Sequence, residues 1–99
     1  MQRAIVPLND FSRALTALGS GVPPTLVPGL ACQIAARPEC GPPFRGGPMR
    51  LLQTRTYGEY PAVNLFYRFD DEKVYLTHIE LRDELEVFDE VELWRHPTV

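Results

Sequence analysis

The chain has 99 residues, 44% of them hydrophobic and 23% charged, with a formal net charge of −3. A length of this order supports one hydrophobic core, and a composition this close to the globular average excludes wholesale disorder. The longest uncharged stretch, from Ala14 up to Arg37, is interrupted by Pro23, Pro24, Pro28, Gly19, Gly21 and Gly29, which excludes a span of ~20 consecutive apolar residues.

In chain order, Arg3 to Leu8 is a short apolar run stopped by Pro7 and predicts a first strand at, or ending at, a sheet edge. Pro7 and Asp10 arrive before a signal-peptide core can form, so a cytoplasmic protein is the expectation. Asn9 or Asp10 offers a side-chain oxygen to cap a helix in which Phe11, Ala14, Leu15 and Leu18 make one apolar stripe. Gly19 and Gly21 end it. A second helix between Pro23 and Arg37 carries Leu26, Leu30 and Ile34, with Val27 and Ala31 beside them. Pro28 is tolerated only in its first turn, and Pro38 closes it. Cys32 and Cys40 form no CxxC pair and read as small packing residues.

Residues 38–48 hold four prolines and three glycines without a period and predict a loop. Beyond it the hydrophobic period changes from 3.6 to 2. Met49 to Tyr57 is a strand followed by a Gly58-Glu59 turn, and Ala62 to Phe69 is a second strand. Asp70 to Lys73 is a charged hairpin turn, and Val74 to Leu81 is the return strand. Residues 82–95 read both ways, with Leu81, Leu85 and Phe88 at helical spacing and Glu90 to Trp94 alternating. A helical turn near Arg82 to Glu86 and then a short strand is the expectation. The whole is a single α+β domain over residues 1–99, ordered β-α-α-β-β-β, with two N-terminal helices on one face of an antiparallel sheet. Residues 86–99 form an acidic C-terminal extension.

Alternation separates the faces of this sheet. Val63, Leu65, Tyr67 and Phe69 are assigned to the helices, leaving Asn64, Phe66 and Arg68 on the open face. On the return strand Val74, Leu76, His78 and Glu80 form one set and Tyr75, Thr77, Ile79 and Leu81 the other. If the first set faces outward, His78 lies near Arg68. Arg50 and Arg55, five apart, fall on opposite faces of a regular strand. Charge is also divided along the chain: residues 1–69 balance to +4 and residues 70–99 to −7, which suits a basic surface for an anionic partner or pairing between the halves.

The run Ala4-Ile5-Val6, the Asp10-Phe11 helix opening, Met49-Arg50-Leu51-Leu52, the stretch from Asn64 to Asp71, and Val74 to Ile79 together resemble the RelE/ParE superfamily of bacterial toxins from type II toxin–antitoxin modules. Leu81-Arg82-Asp83-Glu84 resembles the arginine-and-aspartate motif that closes the last core strand of that family. The resemblance covers roughly residues 3 to 86. It implies a growth-inhibiting toxin, either a RelE-like endoribonuclease cutting mRNA on the ribosome or a ParE-like poison of DNA gyrase. A cognate antitoxin would silence it, as a hetero-oligomer, and a homodimer is compatible. Arg50, Arg68 and Arg82 match positions where the family carries basic residues. Cleavage by 2′-OH attack needs a base, cations at the phosphate and an acid for the leaving oxygen. Arg68, His78 and Arg82 are the catalytic candidates, histidine being the side-chain type that titrates near neutrality. Arg50, Arg55, Tyr57 and Phe66 are the phosphate- and base-binding candidates, with Tyr60 a further stacking residue. No cofactor and no metal are expected.

A rival class is a non-enzymatic interaction module whose acidic C-terminal third, Asp83 to Glu92, docks on a basic partner; a toxin that has lost activity but keeps its antitoxin surface is a third. Gly46-Gly47-Pro48 runs into a strand rather than a helix, so it is not a phosphate loop, and His78 and His96 stand apart from any Cys/His cluster.

Overall fold

The computed structural model describes residues 3–83. Its elements are β1 (Ala4–Pro7), α1 (Asn9–Leu18), α2 (Leu26–Ala36), β2 (Arg50–Gln53), β3 (Val63–Phe69) and β4 (Lys73–Leu81), with short 3₁₀ turns at Gly19–Gly21 and Pro38–Cys40. The expected element order is therefore present. Of the helical turn expected near Arg82 to Glu86, Arg82 and Asp83 are described and lie in no helix or strand; the rest of it, the short strand after it and the acidic extension lie outside the described residues.

The sheet is mixed rather than antiparallel. Its strand order is β1-β4-β3-β2, and β1 runs parallel to β4 with Ile5 opposite Val74. The meander β2-β3-β4 is antiparallel as expected. Strand alternation carries no information about direction. A parallel pair needs only a long crossover, and the helices with the first two meander strands supply it. Pro7 closes β1, an edge strand, where a missing N–H is tolerated.

Both helices pack on one face. Phe11, Val22, Leu26 and Ile34 close on Val63, Leu65 and Tyr67 of β3 and on Val74, Leu76 and Ile79 of β4, all buried. Pro28 sits third in α2, within the first turn, where its missing N–H breaks no helical bond. Gly19 ends α1 at φ 56°. The expected side-chain cap of α1 does not form: Leu8 is the cap residue, and Asn9 and Asp10 lie within the first turn. There Asp10 favours the helix dipole instead.

The strand expected from Met49 to Tyr57 stops at Gln53; Thr54 is the last residue tied to β3, its N–H donating to the Val63 carbonyl at 3.0 Å. Tyr57 and Tyr60 close the Gly58-Glu59 turn, with Gly58 at φ 57°. The proline-rich loop is ordered by pairing with the free edge of β2. Pro43 bridges Arg50, Leu51 N–H donates to the Pro42 carbonyl at 3.0 Å, and Phe44 N–H to the Met49 carbonyl at 2.7 Å. Covering an edge in this way removes a template for intermolecular pairing. Tyr67 fastens the start of the loop, donating its hydroxyl to the Pro38 carbonyl at 2.6 Å and accepting the Gly41 N–H at 2.9 Å.

Candidate functional site

The face of the sheet turned away from the helices is shaped by one extra residue in β4. Pairing runs Phe66 to His78 but Tyr67 to Leu76, so Thr77 is a β-bulge. Its hydroxyl donates to the Phe66 carbonyl at 2.9 Å, at the point where the ladder slips. The bulge reverses strand parity. Val74 and Leu76 point into the core, and so does Ile79. The assignment of Val74 and Leu76 to the same face as His78 and Glu80 is thus corrected, because a regular period of two cannot pass through a bulge.

Four cross-strand rungs follow on the outer face. Arg68 pairs with Tyr75, Phe66 with His78, and Asn64 with Glu80, while Arg82 N–H donates to the Ala62 carbonyl at 2.9 Å. Arg68 lays its guanidinium over the Tyr75 ring, 4.8 Å from the centroid. His78 and Arg68 therefore share a face on adjacent rungs, each facing an aromatic ring of the opposite strand. Arg82 stands two rungs beyond His78 and donates to the Thr54 carbonyl at 2.8 Å. The three proposed catalytic residues form a file along the sheet rather than a cluster.

His78 is half-exposed and meets a carboxylate on this face, Nε2 lying 3.2 Å from Glu80 Oε1. A carboxylate only accepts, so Nε2 donates in this pair, and it is the neutral form of the ring that carries a lone pair on Nδ1. Glu80 is fixed in turn. Its Oε2 accepts from the Asn64 amide at 3.0 Å, and Asn64 Oδ1 accepts from the Gln53 amide at 3.0 Å. Asn64, 2% exposed, is a buried polar residue whose hydrogen bonds across three strands offset its desolvation. Alternation placed Asn64 on this face, but its burial and its link to Glu80 depend on register, which no local pattern encodes.

Around His78 lies a groove of about 390 Å³ lined by Asp10, Phe44, Met49, Phe66, Thr77, His78 and Glu80. The Phe66 and His78 rings are 5.8 Å apart, and Phe44 meets Phe66 edge-on at 5.2 Å, within the favoured range for aromatic pairs. Arg45, at φ 53°, sets its guanidinium 5.1 Å from the Phe44 ring. Leu51, opposite Phe66, is fully buried beneath this loop.

The remaining candidates are dispersed. Arg50 pairs with Tyr67, on the helix side of β2; it donates to the Gly41 carbonyl at 2.8 Å and lies 5.3 Å from the Phe69 ring, as does Arg3. Arg55 falls beyond β2 and is exposed, so its separation from Arg50 comes from the end of the strand and not from alternation. Tyr57 is 80% exposed at the turn. Tyr60 is tied to Thr25, their hydroxyls 2.6 Å apart. Asp10, Phe44 and Met49 escaped sequence reasoning, since each lies outside the strands and reaches the groove only through tertiary packing. At the β3–β4 hairpin, the Glu72 and Lys73 N–H groups hold the Asp70 carboxyl below its usual pKa, and the Tyr75 hydroxyl, donating to that carboxylate, is raised above its own. Among the described residues, no group of three or more His, Cys, Asp or Glu side chains is arranged to hold a metal, and no helix is long and apolar enough to cross a membrane.

No family model matches this chain, and no curated protein matches it either.

Proposed function

We propose that this chain is a RelE/ParE-like toxin that cleaves single-stranded RNA, mRNA on the ribosome, until a cognate antitoxin covers the outer face of its sheet. The observation that carries the reading is the His78–Glu80 pair standing beside the Phe66–Phe44 aromatic surface, with Arg68 one rung away. The element order and the placement of both helices on one face support the same reading.

In this mechanism His78 Nδ1 takes the proton of a ribose 2′-hydroxyl, and the 2′-oxygen attacks the adjacent phosphorus. The bond from phosphorus to the 5′-oxygen breaks, water protonates that oxygen, and a 2′,3′-cyclic phosphate and a 5′-hydroxyl are left. Glu80 holds the imidazole in the competent tautomer and stabilises the imidazolium that forms, a positioning role. Arg68 neutralises charge developing on the phosphate, and Phe66 stacks a base.

Induced expression without a partner should arrest bacterial growth, and purified chain should cut mRNA in a translation reaction, with toeprints marking the ends. His78→Ala should lose at least about 100-fold in cleavage, the usual contribution of a general base. Unimpeded growth at high expression, or full cleavage by His78→Ala, would overturn the proposal.

A second reading has one observation in its favour. Arg50 and Arg82 each donate to a backbone carbonyl, and Arg68 rests on Tyr75, so the arginines do not converge on His78. That suits a non-enzymatic protein, a gyrase poison or a partner-binding module. It predicts growth arrest, or partner capture, that survives His78→Ala.

A further inference from the structure

We infer that Arg3 and Arg50 form a clamp for two linked phosphate groups, at the end of the sheet where β3 turns into β4. The clamp stands apart from the cleavage reading, because Phe69, on which it is built, packs against the helix-side core while His78 stands on the other face. Arg3 precedes β1 and Arg50 opens β2, so the two side chains come from opposite edges of the sheet. They reach the same ring, each guanidinium carbon lying 5.3 Å from the Phe69 centroid.

Little on the chain answers these two charges. Arg3 Nε donates to the Asp70 carbonyl at 2.6 Å, and Arg50 donates one N–H to the Gly41 carbonyl at 2.8 Å. A guanidinium has five N–H groups, so most of each fork is left over. Among the described residues, no carboxylate comes within 4.0 Å of either side chain. The Asp70 carboxylate is taken by the Glu72 and Lys73 N–H groups and the Tyr75 hydroxyl, and Asp71 and Glu72 are exposed on the same turn. The end of α2, whose Ala35 carbonyl accepts the Arg3 N–H at 3.3 Å, offers about half a negative charge. Two half-buried cations therefore face about half a charge, and their repulsion grows as water is excluded.

The planar fork suits carboxylate and phosphate alike. Spacing decides between them. Carbons equidistant from one centroid are at most twice that distance apart, and a single fork already fills both oxygens of a carboxylate. Two phosphates joined by a short covalent link present acceptors to both forks at once. An acidic peptide has to immobilise two separate flexible side chains to do the same, which costs entropy. A diphosphate and the successive phosphates of a nucleic-acid strand share this chemistry.

The full chain should be titrated at constant ionic strength with inorganic phosphate, pyrophosphate, tetraglutamate and 2′-O-methyl hexauridylate, which lacks the hydroxyl needed for cleavage. Calorimetry gives the affinities, and the arginine Nε–H and backbone amide resonances locate the site. Pyrophosphate should bind about 10-fold or more tightly than phosphate or tetraglutamate and shift the signals of Arg3, Gly41, Arg50 and Asp70. Tighter binding of the oligonucleotide than of pyrophosphate identifies a strand as the source, and the reverse order identifies a diphosphate. Arg3→Gln, which gives up a side-chain bond to an exposed carbonyl and leaves the loop untouched, should weaken pyrophosphate binding about 10-fold, the worth of one charge-assisted hydrogen bond. Arg50→Gln should do likewise, and each should lower the slope of log affinity against log salt for the oligonucleotide by about 0.7. Arg3→Lys should also lose several-fold, because an ammonium lacks the fork, while Arg13→Gln should bind as wild type. Phosphate or tetraglutamate binding as tightly as pyrophosphate, the same shifts from sodium chloride, or full affinity in Arg3→Gln would each overturn the clamp.

Discussion

Tyr67 joins the helix-side core to the proline-rich loop, and removing its hydroxyl isolates that contribution. In Tyr67→Phe the ring stays, fully buried, but the Pro38 carbonyl loses a 2.6 Å donor and the Gly41 N–H loses a 2.9 Å acceptor. Pro38 and Gly41 are both buried, so water cannot substitute without opening the loop. A buried polar group left unsatisfied costs about 1–3 kcal/mol. Two such groups, partly offset by no longer burying a hydroxyl, give about 2–3 kcal/mol. For a domain of this length that is a fall in melting temperature of roughly 10 °C or more. Urea unfolding followed by circular dichroism measures the loss, and hydrogen exchange at the Gly41 amide locates it. The hydroxyl also leaves a mark at high pH. Burial holds the Tyr67 pKa well above its ordinary value of 10.0. A raised folded-state pKa contributes stability that is fully present below the unfolded pKa and is lost as pH rises above it. Wild-type stability should therefore decline above pH ~10 more steeply than that of Tyr67→Phe, by about 1.4 kcal/mol per pH unit. A Tyr67→Phe protein within about 0.5 kcal/mol of wild type, with unchanged exchange at Gly41, would refute the reasoning.

Gly41→Ala attacks the same join from the other side. A Cβ there meets Tyr67 Oη at 2.8 Å and the Leu51 carbonyl at 3.0 Å, so the variant should be destabilised. Combining it with Tyr67→Phe should cost less than the sum, with a coupling of about 0.5–3 kcal/mol in a double-mutant cycle. Deleting Thr77 removes the bulge, leaves Leu76 and His78 opposite Tyr67 and Phe66, and keeps Ile79 in the core. It should cost only about 0.5–1.5 kcal/mol, the net worth of the hydrogen bond from Thr77 to the Phe66 carbonyl, read from the urea midpoint. Asn64→Leu strips Glu80 and Gln53 of a buried partner and should cost about 1–3 kcal/mol; the His78 ring resonances should shift with it, because Glu80 is no longer held. Asp70, whose carboxyl two backbone N–H groups hold below its ordinary pKa of 3.8, contributes stability that is present above that value. That stability is lost as pH falls through the lower folded value. Asp70→Asn should flatten the acid limb of a plot of urea midpoint against pH.

Legibility varied along the chain with the range of the interaction involved. The helices were readable because Phe11, Ala14, Leu15 and Leu18, and Leu26 and Ile34, repeat within a few residues of one another. The inward face of β3, Val63-Leu65-Tyr67, was readable for the same reason with a shorter period. In β4 the apolar residues are Val74, Leu76, Ile79 and Leu81. The odd step between Leu76 and Ile79 is the trace that the bulge leaves in the sequence; a period of two forced through it puts His78 on the wrong strand set.

Of the candidate site, alternation brought Asn64, Phe66 and Arg68 to one face and singled out His78. It could not supply Asp10, Phe44 and Met49, which come from the start of a helix and from a loop. It also could not foresee that Arg50 and Arg82 would be committed to backbone carbonyls.

The sequence by itself determined where the elements lie, which helix faces are apolar, and that a hairpin turns at Asp70 to Lys73. Only the tertiary structure decided that β1 runs parallel to β4, that the proline-rich loop seals the edge of β2 over Leu51, and that Asn64 is buried between Gln53 and Glu80. The reason is physical. Periodicity is imposed by backbone geometry within a few residues. Strand direction, register and the face presented after a bulge are set by partners far along the chain, and those meet only when the core closes.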